Sequence, residues 1–204
     1  MCELIVVTNR KLCEGDFLDR IRLLCRAGVK KIVLREKDLN EKEYTKLAKD
    51  VLEICKAADV ECIFHKYLFP ALKLHAPGIH LPLPLAMKSS ETAGELSEFG
   101  VSIHSVEQLY LAHACHVDYA FFGHVFATDC KPDSEPRGTA ALAEICKKAL
   151  ISIYAIGGIK AENIKDVIEA GAKGACVMSF GMTASEEEIK ELVKECCKAD
   201  GRRL

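Results

Sequence analysis

No run in the 204 residues approaches the roughly 18 consecutive apolar side chains that a membrane span requires. The start, MCELIVVTNRK, lacks the basic stretch that precedes the apolar part of a secretion signal, and its own apolar run breaks off at Thr8 and Asn9. A cytosolic protein with no membrane partner is expected. Basic runs are missing too: 28 Lys and Arg are spread among 30 Asp and Glu, giving a formal net charge of −2. Without a basic stripe to follow a phosphodiester backbone, nucleic acid is not expected as a partner. There is no CxxC pair, and the eleven cysteines are an odd number, which argues against a disulfide framework and for reduced thiols. Four recurring contexts, LLCRAG, EICKAA, EICKKA and ECCKAD, place a cysteine on the apolar face near the end of a predicted helix, where a thiol serves as a small core filler. No shift in composition divides the chain, so residues 1–204 are expected to form one domain.

What is present is an alternation. Short β-branched runs at 4–9, 31–36, 61–66, 78–82, 101–105, 118–126, 151–158 and 174–180 are separated by segments of helical period at 16–28, 40–58, 67–76, 87–98, 106–115, 139–149 and 160–170, with a last one at 185–199. Strands alternating with helices predict an α/β protein with a parallel sheet. An open doubly wound sheet is the alternative, but eight units of near-equal length favour a single closed (β/α)8 TIM barrel. Gly28, Gly100 and Gly171 fall where helices should stop and read as left-handed caps at the αβ turns.

In such a barrel, function gathers just past each apolar run. The residues there are Asn9 and Arg10; Arg35, Glu36 and Lys37; His65 and Lys66; His80; Ser102 and His104; His124 through Lys131; Gly157 and Gly158; and Met178 through Gly181. This set is rich in cations and imidazoles and poor in carboxylates, which points to an anionic ligand. The loops after the last two strands expose backbone amides at Gly157, Gly158, Met178 and Ser179, and Ser179 adds a hydroxyl. They are the expected phosphate site. The longest irregular stretch, 127–138, reads as a lid or binding loop in which Lys131 is either a phosphate partner or a solvated charge, and Arg137 a solvated charge. His65, His80, His104 and His124, near four successive strand ends, also allow a zinc site, although catalytic zinc more often includes a carboxylate or thiolate. Cys130 beside Lys131 allows an activated thiol.

Taken in order, IVVTNR, VLREKDL, GIHLP, VSIHSVEQ, FFGHVFATDCKPD, AIGGIKAENI and VMSFGM resemble the thiamine phosphate synthase superfamily over nearly the whole chain. The superfamily contains synthases, which join a pyrimidine pyrophosphate to a thiazole phosphate with magnesium. It also contains TenI-like proteins, some of them thiazole tautomerases and earlier regarded as regulators. Synthases resembling this chain end the third strand in Asn-Asp and the fourth in Gly-Gln-x-Asp, and the two aspartates hold the magnesium. The matching residues are His65 and Lys66, then Pro82, Leu83, Pro84 and Leu85. A lysine and a leucine cannot replace two hard oxygen ligands, and the pyrophosphate leaving group depends on that metal. The usual Gln before LREK is Val33, and a synthase-type Thr in the strand-six loop is Cys130.

His124, where synthases usually carry Pro, makes FGHVF followed by TDCK similar to the TenI-type motif. The resemblance implies that His124 is the acid/base in aromatisation of a carboxythiazole phosphate, one proton leaving a ring carbon and another arriving at a carbon outside the ring. Imidazole, with an ordinary pKa near 6.5, suits both transfers, and neither a metal nor another cofactor is required. Arg35, Lys37, Ser102, Thr128 and Lys131 are the implied substrate contacts, with the carboxylate at Arg35, Lys37 or Lys66. Two alternatives stand: a magnesium-dependent thiamine phosphate synthase, and a non-catalytic regulatory protein that binds thiazole phosphate. YLFPALKLHA is the one stretch suggesting a partner surface, and core packing or a homo-oligomer interface explains it equally well.

Overall fold

Eight short strands pair in parallel and in chain order, and the last pairs with the first, so the sheet closes on itself. In the computed structural model, which describes residues 3–128 and 133–199, the strands are β1 (Glu3–Val7), β2 (Lys31–Leu34), β3 (Glu61–His65), β4 (Gly78–Pro82), β5 (Glu98–Ile103), β6 (Tyr119–Gly123), β7 (Ser152–Ile156) and β8 (Gly174–Val177). Around them lie helices α1 (Phe17–Arg26), α2 (Glu41–Ala57), α3 (Leu68–Lys73), α4 (Leu83–Ala93), α5 (Val106–Ala114), α6 (Gly138–Lys148), α7 (Ile164–Glu169), α8 (Ser179–Thr183) and α9 (Glu186–Ala199). This is the (β/α)8 barrel that the alternation predicts.

The strands are covered on both faces and are therefore apolar throughout: all four residues of β2 and all five of β6 are buried. The helices bury one stripe each. In α2, Tyr44, Ala48, Val51 and Cys55 recur at helical spacing, and a capping box between Asn40 and Glu43 starts the helix. One apolar layer lies between sheet and helices. A second fills the lumen with Ile5, Val7, Val33, Ile63, Tyr119, Phe121, Tyr154 and Cys176. At the amino-terminal end of the lumen Lys31 is buried, with its ammonium 2.6 Å from Glu98 and 3.1 Å from Glu61. A buried ammonium requires such partners.

Several boundaries differ from expectation. β5 starts at Glu98, so Gly100 is an inner strand residue paired with His80 and Tyr119 and not a helix cap. Its reason is space: a Cβ on Gly100 would lie 2.1 Å from Cζ of Tyr119. Gly28 and Gly171 do adopt left-handed φ of +91° and +97°. α4 begins four residues early, at Leu83, because a proline in the first turn forfeits no hydrogen bond. α7 begins four residues late, since Lys160 N donates to Asn163 Oδ1 (2.8 Å) in a turn of its own. All the strands but β4 stop short of the expected ends, and α8 is an unexpected turn of helix directly after β8. Among the recurring cysteines, Cys55 is buried in the core, whereas Cys25 and Cys146 are half-buried; in the ECCKAD pair Cys196 is the buried one and Cys197 is half-buried. No helix among the described residues is long and apolar enough to cross a membrane.

Gly100→Ala forces the Tyr119 ring out of the lumen and should cost about 1–3 kcal/mol, as overpacking does. Urea unfolding of the variant is expected to show a lower midpoint at unchanged slope; an unchanged midpoint would show that the ring is free to shift.

Candidate active site

Because alternate residues of a closed barrel point inward, the side chains at the carboxyl ends of the strands converge on one rim. Arg35, Lys37, Ser102, His124, Thr128, Gly157, Gly158, Met178 and Ser179, all expected at the site, line a single cavity there of about 720 Å³. Lys131, Asp129 and Cys130 lie outside the described residues. Not every strand-end residue reaches the cavity. Glu36 is buried beside it, accepting from the Thr8 hydroxyl at 2.6 Å and from the Arg10 amide, while Thr8 Oγ1 accepts from the Arg35 amide at 2.9 Å. These bonds lock the ends of β1 and β2 together and turn the Glu36 carboxyl into the wall. The Arg10 guanidinium grips Asp38 at 2.7 and 2.8 Å. Lys66, expected as a carboxylate partner, has a left-handed backbone (φ +74°), stands over the Tyr67 ring at 5.0 Å and does not line the cavity.

His124 is 6% exposed and follows directly on β6. Its Nε2 lies 3.1 Å from the carbonyl oxygen of Ser134. A carbonyl can only accept, so in the neutral ring Nε2 carries the hydrogen and Nδ1 keeps its lone pair. The backbone around it is held from three sides. His104 Nδ1 donates to the Gly123 carbonyl at 2.7 Å, Arg137 Nε donates to the same oxygen at 3.1 Å, and the Arg137 amide donates to the His124 carbonyl at 2.9 Å. Arg137, expected as a solvated charge, is thus part of the frame around His124. The fourth support is the glycine pair. A Cβ on Gly157 would lie 2.2 Å from Cβ of His124, and one on Gly158 would lie 2.3 Å from the Ala127 carbonyl oxygen; φ is +101° and +66°. The pair therefore lets the strand-six loop lie directly against the end of β7, besides exposing its own amides.

The opposite wall holds two imidazoles and two cations. His65 and His80 stack with centroids 6.0 Å apart, and His80 rests on Phe121 at 4.2 Å. Burial, with Arg35, Lys37 and Lys66 adding repulsion, holds His65 down at about 3, and burial holds His80 well below its ordinary value. Both rings are neutral at physiological pH. The positive charge of the wall therefore belongs to Arg35, whose guanidinium reaches Met178 Sδ at 3.8 Å, and to Lys37. Among the described residues no Asp or Glu lines the cavity, and no three His, Cys, Asp or Glu stand close enough to hold a metal. The zinc arrangement fails on geometry, with both His80 nitrogens already engaged by Tyr119 and Ser102. Lys160 and Thr183 also line the cavity and were not anticipated; a cation two residues beyond a glycine pair is a signal that could have found the first.

The family model described as thiamine monophosphate synthase matches residues 4–180 of this fold and rim. The chain belongs to the thiamine monophosphate synthase family. Among its relatives, the thiamine-phosphate synthase of Coprothermobacter proteolyticus is 34% identical over 201 residues, covering 94% of each chain. That of Syntrophomonas wolfei is 34% identical over 192 residues, covering 91% of this chain and 90% of the relative. Among solved structures, thiamine phosphate pyrophosphorylase from Pyrococcus furiosus superposes with a TM-score of 0.86 at 26% identity, covering 97% and 96% of the two chains. Membership brings with it the question of magnesium. At the two positions where the resemblance puts its aspartates, this chain has Lys66, turned to Tyr67, and Leu85 on α4. Among the described residues the cavity offers imidazoles, ammonium and guanidinium groups and no carboxylate, a set that does not fit a hard divalent cation.

The depressed His65 predicts a pH dependence of stability. The unfolded chain binds a proton near the ordinary 6.5 and the folded chain only near 3, so stability is full above 6.5 and falls with pH towards 3. From pH 7 to pH 5 this one group removes about 2 kcal/mol, at 1.36 kcal/mol per unit. Urea unfolding of His65→Asn is expected to show a correspondingly smaller loss over the same interval.

Proposed function

We propose that this chain is a TenI-type thiazole tautomerase, aromatising a carboxythiazole phosphate by proton transfer at His124. The observation that carries this reading is the rim itself: a nearly buried histidine whose Nε2 is held by the Ser134 carbonyl, lining a cavity with cations, imidazoles and backbone amides and, among the described residues, with no carboxylate. Nδ1 takes the proton from the ring carbon. The electron pair left behind completes the aromatic ring as the carbon outside it takes up a proton, which the imidazolium can return. The Ser134 carbonyl, accepting from Nε2, stabilises the charged ring while it exists. The substrate phosphate would lie on the amides of Gly157, Gly158, Met178 and Ser179 with the Ser179 hydroxyl, and Lys160 would add charge. The carboxylate would meet Arg35 and Lys37, and Thr128 would contact the substrate from the strand-six loop.

A second reading has its own support. The relatives at 34% identity are named thiamine-phosphate synthases, which favours a transferase joining pyrimidine and thiazole phosphates with magnesium. Against it stands the misfit of the rim to that cation. Two assays on one preparation separate the readings. Conversion of the non-aromatic carboxythiazole phosphate is expected in the native protein and should fall roughly a hundred- to ten-thousand-fold in His124→Ala, the usual contribution of a positioned acid/base. Formation of thiamine phosphate with magnesium should be negligible. Robust thiamine phosphate formation would overturn the tautomerase in favour of the synthase, and binding of the thiazole without either activity would leave a regulatory role.

A further inference from the structure

Three side chains on adjacent strands form a hydrogen-bonded line from the barrel core to the cavity. Tyr119 of β6 and His80 of β4 are each only 1% exposed, whereas Ser102 of β5, between them in the sheet, is half-buried and lines the cavity. Tyr119 Oη is 3.2 Å from His80 Nδ1, and His80 Nε2 is 2.9 Å from Ser102 Oγ. The imidazole is neutral, so one nitrogen donates and the other accepts. Two proton arrangements fit these distances. In one, Ser102 donates to Nε2 and Nδ1 donates to the phenol oxygen. The phenol hydrogen is then buried without an acceptor among the described residues. In the other, the phenol donates to Nδ1 and Nε2 donates to Ser102 Oγ. Every buried hydrogen then has an acceptor, and the only unspent one is the Ser102 hydroxyl hydrogen, at the cavity surface. Protein interiors seldom leave a buried donor orphaned, which selects the second arrangement.

We infer that Tyr119 and His80 are positioning residues that occupy one Ser102 lone pair and leave its hydroxyl hydrogen for the cavity, so that this wall donates to an oxyanion of the ligand. Arg35 and Lys37 line the same cavity and supply the matching charge. Gly100 makes the line geometrically possible, because its missing side chain admits the Tyr119 ring. The recognised group would be the carboxylate or a phosphate oxygen; within the proposed tautomerase it would be the carboxylate. The proton arrangement itself does not depend on that reaction.

Nitrogen NMR of the histidine-labelled full chain at pH 7, with His80 assigned by its loss in His80→Gln, is expected to show Nε2 protonated and Nδ1 bare. A protonated Nδ1 would overturn the inference. Binding of the aromatic carboxythiazole phosphate gives the second test. Ser102→Ala should weaken it about tenfold, as loss of one hydrogen bond to a charged group does. Tyr119→Phe, which keeps the ring over Gly100, should weaken it several-fold, and the double variant should be no weaker than Ser102→Ala alone. Additive losses would mean that Tyr119 does not act through Ser102. Should the native protein fail to bind this compound, the proposed reaction falls, and the NMR result still decides the proton arrangement.

Discussion

Closure of β8 onto β1 is the constraint from which the rest of the molecule follows. The ladder from Glu3 opposite Gly174 to Val6 opposite Val177 leaves no free sheet edge and commits every second side chain to a narrow lumen. That lumen has to be filled at the density of any protein interior. Tyr119, Phe121 and Tyr154 contribute its aromatic rings, and the Tyr119 ring fits because Gly100 leaves space on the neighbouring strand. The filled core is then the floor of the cavity. His80 lies on Phe121, and Tyr119 meets it from below. Core packing and the orientation of rim groups are one problem in this barrel.

Charge is divided along the barrel axis in the same way. Carboxylates gather at the amino-terminal end, where Glu61 and Glu98 neutralise Lys31 and Glu3 accepts from the Tyr154 hydroxyl. The carboxyl-terminal rim keeps Arg35, Lys37 and Lys160, with the Glu36 carboxyl folded back onto Thr8 and Arg10. Adding charge to His65 or His80 in that surrounding is unfavourable, so both remain neutral and act as hydrogen-bonding surfaces. An anion entering the cavity meets fixed positive charge and oriented dipoles that cost no reorganisation.

Much of this was legible in the sequence, for identifiable reasons. Strands covered on both faces read as unbroken apolar runs, so the eight units and their order were visible, and with them the residues at each strand end. Direction was not visible. Glu36 and Lys66 stand at strand ends as Arg35 and Lys37 do, yet hydrogen bonds to residues 28 and 26 positions earlier turn Glu36 into the wall, and a left-handed backbone carries Lys66 over Tyr67. Gly100 looked like a cap because caps and space-making glycines share one letter; its role depends on Tyr119, nineteen residues on, which local pattern does not connect. Arg137 was missed for a related reason, since the Gly123 carbonyl it serves comes from backbone geometry and not from any motif. The glycine pair was found, but only the contact with His124 shows that it shapes the strand-six loop as well as its own.

Family membership and reaction are separable here. A barrel of this kind hosts different chemistries by changing a few rim side chains while its core is retained, and the similarity to named synthases is spread over the whole chain, most of which is core. The chemistry depends on far fewer positions. Displacing pyrophosphate builds charge on a leaving group, and a rim must supply a cation that follows that charge. Moving a proton within one bound anion builds no such charge, and static ammonium and guanidinium groups suffice. Lys66 and Leu85, at the two positions where the resemblance puts hard ligands, and His124, held at Nε2 by the Ser134 carbonyl, are the positions on which the proposed proton transfer rests.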